Sequence, residues 1–132
     1  MRILVIEDSL FLRHVIERVL QKCGHDVRSA ADGLKGLQAA SNASTDLILL
    51  DMMLPGLDGT SVLRKLKEDP RTSDIPVVVL TSLSTRNAET LKSAGATAFV
   101  EKSALSLDKN GDGLIQVVDH VLALQKKQPS LR

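Results

Sequence analysis

The stretch LILLDMMLPGLDG, Leu47 to Gly59, decides the fold. Leu47, Ile48, Leu49 and Leu50 run into Asp51 without polar alternation, and Pro55-Gly56 then breaks the chain direction. A short apolar run that does not alternate suits a strand covered on both faces, which is the situation inside a parallel sheet with helices above and below. An aspartate closing such a strand is either a turn residue or a working group. The other acids decide between them.

The same grammar recurs along the chain. RILVI (2–6), DVRSA (26–30), DLILL (46–50), PVVVL (76–80) and TAFVE (97–101) read as strands. Between the first two, Leu12, Val15, Ile16, Val19, Leu20 and Cys23 fall at helical spacing and form one apolar stripe that Gly24 stops. Further helices are predicted over 33–41, 58–68, 86–94 and 113–126, with Asp58 as N-cap of the third and Gly59 easing its turn. Five strands alternating with five helices predict an α/β domain, a doubly wound (βα)5 parallel sheet. The expected domain spans 1–125, and 126–132 reads as a tail or linker stub.

Bulk properties narrow the function. The chain has 132 residues, 43% of them hydrophobic and 25% charged, with a net charge of +1 and two aromatic residues, both Phe. Near neutrality and the lack of stacking side chains argue against direct nucleic-acid binding. The single cysteine, Cys23, fits a reducing compartment, and no segment has the length or apolarity of a signal peptide or a membrane span. A cytoplasmic protein without a membrane role is expected.

Ligands of parallel α/β sheets bind at the carboxyl ends of the strands. Glu7 and Asp8 follow the first strand, Asp51 the third, Thr81 and Ser82 the fourth, and Lys102 the fifth. Carboxylates within about 4–6 Å repel one another, and one of them normally takes a proton. A divalent cation removes that conflict, and an all-oxygen donor set fits Mg2+. The histidines, His14, His25 and His120, are scattered surface residues in this reading, and nothing suggests zinc.

These residues resemble the receiver domain of two-component response regulators, of the chemotaxis-regulator type. The resemblance rests on Glu7-Asp8, on Asp51 followed by Pro55 and Asp58-Gly59, on Thr81 in IPVVVLTS, and on Gly95, Phe99 and Lys102 in SAGATAFVEK. It runs from Arg2 to about Leu124 and implies a flavodoxin-like fold with strand order 2-1-3-4-5. It further implies that Asp51 accepts a phosphoryl group from a histidine kinase or histidine phosphotransfer protein. Glu7, Asp8, Asp51 and the Met53 backbone carbonyl would hold Mg2+, Lys102 would neutralise phosphoryl oxygens, and the Thr81 hydroxyl would bond the phosphorylated form. Thr81 and Phe99 would form the switch, read by a downstream protein target or a fused output domain. The expected domain catalyses its own phosphorylation and dephosphorylation and is not a conventional turnover enzyme.

Some features depart from the family pattern. Ser103 replaces the usual proline after the lysine, which leaves the geometry of the Lys102-Ser103 bond open. Met53 and Leu83, two residues past the phosphoacceptor and the switch hydroxyl, are apolar and should orient attacking water poorly, which predicts a long-lived phosphoryl state. DKNGDGLIQVVD (108–119) matches a calcium-loop template at Asp108, Asn110, Asp112, Gly113 and Asp119, but with Asp at the last position and no entering helix. An enlarged turn is the better reading, and Ca2+ there is not expected. Leu10 and Phe11 lie off the apolar stripe beside the acidic pair and are candidates for docking the phosphodonor.

Two rival phosphate-handling folds fit poorly. A haloacid-dehalogenase-type phosphatase needs a second Asp at position 53, and a flavodoxin needs a glycine- and hydroxyl-rich loop where EDSLFLR stands. The alternative from another class is a pseudo-receiver acting only as a protein-interaction module.

Overall fold

Leu47–Asp51 (β3) and Val77–Thr81 (β4) are buried at every position, as strands without polar alternation require. In the computed structural model, which describes residues 1–42, 44–54, 56–81, 92–102 and 112–127, they form the centre of a five-stranded parallel sheet. The remaining elements are β1 (Arg2–Ile6), α1 (Leu10–Lys22), β2 (Asp26–Ala30), α2 (Gly33–Asn42), α3 (Gly59–Glu68), β5 (Ala98–Glu101) and α4 (Asp112–Lys127). The strand order is β2-β1-β3-β4-β5. The expected doubly wound flavodoxin-like architecture is therefore present, with four helices among the described residues. The helix expected over 86–94 lies largely outside them.

Alternation along each strand sorts the core into two layers. Ile3, Val5, Leu47, Leu49, Val78, Leu80 and Val100 pack with Ile16 and Leu20 of α1 and with Leu114, Val118, Val121 and Leu122 of α4. Leu4, Ile6, Ile48, Leu50, Val77 and Val79 point the other way, against Ala40 of α2 and Val62, Leu63 and Leu66 of α3. Each fully buried aliphatic side chain contributes about 1.5–3 kcal/mol of transfer free energy. Leu, Val and Ile thus build both layers with almost no aromatic help.

The two central strands start one residue later than expected, with a consequence for the site. Asp46 sits outside β3, where its carboxylate accepts the Arg2 N–H at 2.7 Å, and Pro76 has no N–H to give to a ladder. Asp51 and Thr81 are consequently the last residues of their strands rather than the first of their loops. Cys23 also departs from expectation: α1 closes at Lys22, Cys23 is its exposed C-cap, and Gly24 at φ +88° turns the chain away.

Two contacts fix how α3 sits. Its last turn is tied to the chain entering β4 by Lys67, whose Nζ donates to the carbonyls of Ser73 at 3.2 Å and Ile75 at 2.8 Å. The Lys67 stem fills the space beside Gly95, whose φ of +112° and close neighbour both exclude a side chain. At the other end Asp58 caps the helix as expected, accepting the Ser61 N–H at 2.8 Å. Gly59 does more than ease the turn: a Cβ there would lie 2.5 Å from both the Asp51 carbonyl oxygen and the Met52 Cα. These are backbone atoms and cannot rotate away. Gly59→Ala is expected to lower the stability of the fold by about 1–3 kcal/mol, the usual cost of overpacking, measured by urea denaturation. An unchanged midpoint would show that α3 can shift freely from the end of β3.

Candidate functional site

Strand parity delivers the site. Glu7 continues the series Ile3-Val5, Asp51 the series Leu47-Leu49, and Lys102 the series Ala98-Val100, so all three leave the sheet on the face covered by α1 and α4. Ile6 is paired with Leu50, so the next step of that ladder sets Glu7 beside Asp51. Lys102 stands beyond the last residue of β5 and reaches back. Its Nζ lies 2.8 Å from Asp51 Oδ1 and 3.4 Å from Glu7 Oε1.

Glu7, Asp8 and Asp51 each place a carboxylate oxygen within 4.8 Å of the others. Glu7 and Asp51 are fully buried, whereas Asp8 is open to solvent. Asp51 Oδ1 is doubly held, by Lys102 and by the Met53 backbone N–H at 3.0 Å, while Asp51 Oδ2 has no hydrogen-bond partner. Glu7 Oε2 accepts the Ser9 N–H at 3.1 Å, and Glu7 Oε1 makes no hydrogen bond. Buried acceptors left open in this way are rare and costly.

The charge balance follows from the geometry. Burial is the largest influence on Glu7, and the neighbouring Asp51 carboxylate adds to it. Together they push Glu7 up from 4.5 to about 7, against the opposing Ser9 N–H and Lys102. Burial alone would pull the Lys102 ammonium down, but its hydrogen bond to Asp51 and the charges of Asp51 and Glu7 outweigh that and raise it. Lys102 therefore stays charged, and Glu7 is the acid that most readily takes up a proton. Oxygen-only donors with two open buried acceptors fit a hard divalent cation such as Mg2+, which would replace that proton.

The other expected site residues fall around this centre. Thr81 is buried at the end of β4, next to β3. It shares the α2–α3 side of the sheet with Val79 and Phe99, which are paired across β4 and β5. Phe99 is half-buried against that layer, with the Lys92 ammonium 6.0 Å from its ring centre. The Met53 side chain is 63% exposed beside the cleft, and Leu10 and Phe11 are 59% and 73% exposed at the start of α1. Leu83, Ser103, Asp108 and Asn110 lie outside the described residues. Of the calcium template, the stretch from Asp112 to Asp119 lies in α4, and its first half lies outside the described residues.

Two contributors were not singled out by sequence reasoning. Ser9 caps α1, its hydroxyl accepting the Leu12 N–H at 3.3 Å, and its own N–H holds Glu7. A serine immediately before an apolar helical stripe is a legible cap signal, and Ser9 carries it. Arg13 donates from Nη1 to the Glu7 carbonyl at 3.0 Å, which no local pattern announces.

A doubly wound α/β domain with an acid-and-lysine cleft at the carboxyl edge of its sheet defines a narrow class. The chain belongs to the response regulator receiver domain family, whose profile matches residues 3–108. It is 33% identical to protein PilH of Pseudomonas aeruginosa over 122 residues, covering 92% of this chain and 98% of that protein. It is 45% identical over 82 residues to the DNA-binding dual master transcriptional regulator RpaA of Synechocystis, covering 62% of this chain but 34% of that regulator. The chain spans about a third or less of several curated relatives it matches, 22% in the case of the response regulator PleD of Caulobacter vibrioides. Among solved structures, the receiver domain of a Pseudomonas aeruginosa sensor histidine kinase, with a magnesium ion coordinated in its active site cleft, superposes with a TM-score of 0.80. It is 28% identical, with 92% of this chain and 97% of that one covered. A CheY-like receiver from Methanospirillum hungatei gives 0.84 at 26% identity, with 96% and 97% covered. No helix among the described residues is long and apolar enough to cross a membrane.

The raised Glu7 group has a measurable signature. Its folded value lies above the unfolded one, so its protonated form adds stability that is fully present below about pH 4.5 and lost as pH rises through about 7. In metal-free buffer, the stability difference between the parent and Glu7→Gln should widen in favour of Gln across that window, to at most about 3 kcal/mol. Parallel pH profiles for the two proteins in denaturant titrations would show that Glu7 is already ionised.

Proposed function

We propose that this receiver takes a phosphoryl group from a phosphohistidine onto Asp51 and changes its protein partners in response. The observation that carries this reading is Asp51 itself. It is buried at the end of β3, with one oxygen gripped by Lys102 and the Met53 amide and the other open among two further acids. A residue serving only to turn the chain needs none of these. The same full set of polar groups favours a working phosphoacceptor over a pseudo-receiver.

In this reading Glu7, Asp8, Asp51 and the Met53 carbonyl hold Mg2+, with Asp8 the acid nearest solvent. When bound, the ion supplies positive charge against the oxygens of the transferring group. An Asp51 oxygen attacks phosphorus as the P–N bond to the donor imidazole breaks, and the bonding pair leaves on the imidazole nitrogen. The product is an acyl phosphate on Asp51. Lys102 releases part of its hold on the carboxylate and turns its ammonium to the phosphoryl oxygens. The Thr81 hydroxyl then donates to the phosphoryl group, and Phe99 on the same side of the sheet repacks, biasing a two-state surface read by partners. Met53, exposed and apolar at the cleft, offers nothing to orient water, and a slow return to the free carboxylate follows.

The donor is a histidine kinase or a histidine phosphotransfer protein, and the reader is a separate protein target or a fused output domain. The setting is the cytoplasm. Incubation with acetyl phosphate and Mg2+ should add one phosphoryl group at Asp51, read by intact mass and peptide mapping, and both Asp51→Asn and chelation should abolish it. A label on another side chain, or one that survives in Asp51→Asn, overturns the assignment.

Leu10 and Phe11 stand exposed beside the acidic pair and form the contact for the helical bundle that presents the donor histidine. Truncating Phe11 to Ala should slow transfer from a phosphorylated histidine protein by about tenfold or more, as expected for an interface anchor. Labelling by acetyl phosphate should be unaffected. Equal slowing with both donors would place Phe11 in the fold instead of the interface.

A further inference from the structure

Asp8 is the acid of the cleft that solvent reaches, and among the described residues its side chain makes no hydrogen bond or ion pair. Its position is set by backbone alone. That backbone is a three-residue turn from Glu7 to Ser9, leaving β1 and entering α1. Inside the turn, the Ser9 N–H meets Glu7 Oε2 at 3.1 Å, and the Ser9 hydroxyl caps the helix. From outside it, one described side chain grips the turn: Arg13, whose guanidinium donates to the Glu7 carbonyl at 3.0 Å.

Arg13 is placed against electrostatic convenience. It lies one turn into α1, near the positive end of the helix dipole, where a cation is disfavoured. The first turn of α1 has no acidic residue to offset it. Helical side chains lean toward the N-terminus, which lets a long one at this position fold back over the cap. Arg13 is half-buried in doing so. The Glu7 carbonyl is half of the Glu7-Asp8 peptide group, so a bond to that oxygen fixes the peptide plane from which Asp8 projects.

We infer that Arg13 is a positioning residue for the acidic pair: it holds the turn so that Asp8 faces Glu7 and Asp51 at metal-binding distance. This rests on the Mg2+ site proposed above and extends it to a group that touches neither metal nor phosphoryl. Its sign is unusual. Removing a positive charge beside an acidic cleft should by itself tighten cation binding, whereas loss of the brace should weaken it.

The test is Mg2+ titration of the full chain by calorimetry, with thermal melts of the same samples. Arg13→Met should bind Mg2+ about tenfold more weakly, the scale of lost supporting contacts at metal sites. Arg13→Lys, which keeps a charged donor on a long stem, should recover part of the loss, and the shorter, neutral Arg13→Gln should remain weaker than Arg13→Lys. Should Arg13→Met fail to fold, the ordering of Lys over Gln carries the test. Affinity in Arg13→Met equal to or tighter than the parent overturns the inference, as does a lowered melting point with affinity unchanged. A parent chain that binds no Mg2+ overturns the metal site as well; a parent that binds and an Arg13→Met that matches it overturn the Arg13 role alone.

Discussion

Three carboxylates lie within 4.8 Å of one another, and among the described residues a single lysine pairs with two of them, Glu7 and Asp51. At that separation each like-charge pair costs about 3 kcal/mol at an effective dielectric constant near 20. One ammonium cannot cancel three such charges. The excess falls on Glu7, whose carboxyl is raised to about 7, and buried oxygens on both Glu7 and Asp51 are without a hydrogen bond. A proton and a divalent cation are thus competing solutions to one electrostatic problem.

Everything else in the fold serves to keep those acids from moving apart. The strands contribute parity, so Glu7, Asp51 and Lys102 emerge on one face. The helices contribute pressure. The backbone of Asp51 and Met52 is closed from one side by Gly59 at the start of α3, and the turn bearing Glu7 and Asp8 is closed from the other by α1 through Ser9 and Arg13. Like charges held by a packed scaffold cannot relax by the few ångströms that would dissipate their repulsion. Electrostatic strain of this kind is stable only because both hydrophobic layers of the sheet are dense.

The parts legible in the sequence are those governed by short-range periodicity. Non-alternating runs at Leu47–Leu50 and Val77–Leu80 mark central strands, and carboxylates at consecutive strand ends mark the cleft. The strand starts are displaced by one residue because the Asp46 carboxylate is spent on the Arg2 N–H, a contact that composition does not reveal, and because Pro76 has no N–H for a ladder. Cys23 fits the apolar stripe yet is exposed, since the helix stops before its turn completes. The need for glycine at position 59 arises from an approach between α3 and the end of β3, which exists only after folding. The same holds for Arg13: a side chain bonded to a carbonyl six residues back leaves no pattern to read. Long-range backbone contacts are invisible to periodicity, and here they determine the precision of the site.

Open buried acceptors do not by themselves mark a functional centre, as a third one shows. His25 Nδ1 is also buried without a hydrogen bond, at the opposite end of the sheet near the chain's amino terminus. Burial lowers its basicity, the Met1 ammonium adds to this, and Asp119 opposes both. A neutral imidazole can leave one nitrogen unbonded for the loss of a single weak acceptor. Glu7 and Asp51 differ in kind. Their open oxygens belong to groups that are anionic when ionised, lie beside each other, and share a lysine already committed to both. A cation brought in from outside the chain would face both open oxygens at once, which sets the strand-end acids apart from the histidine.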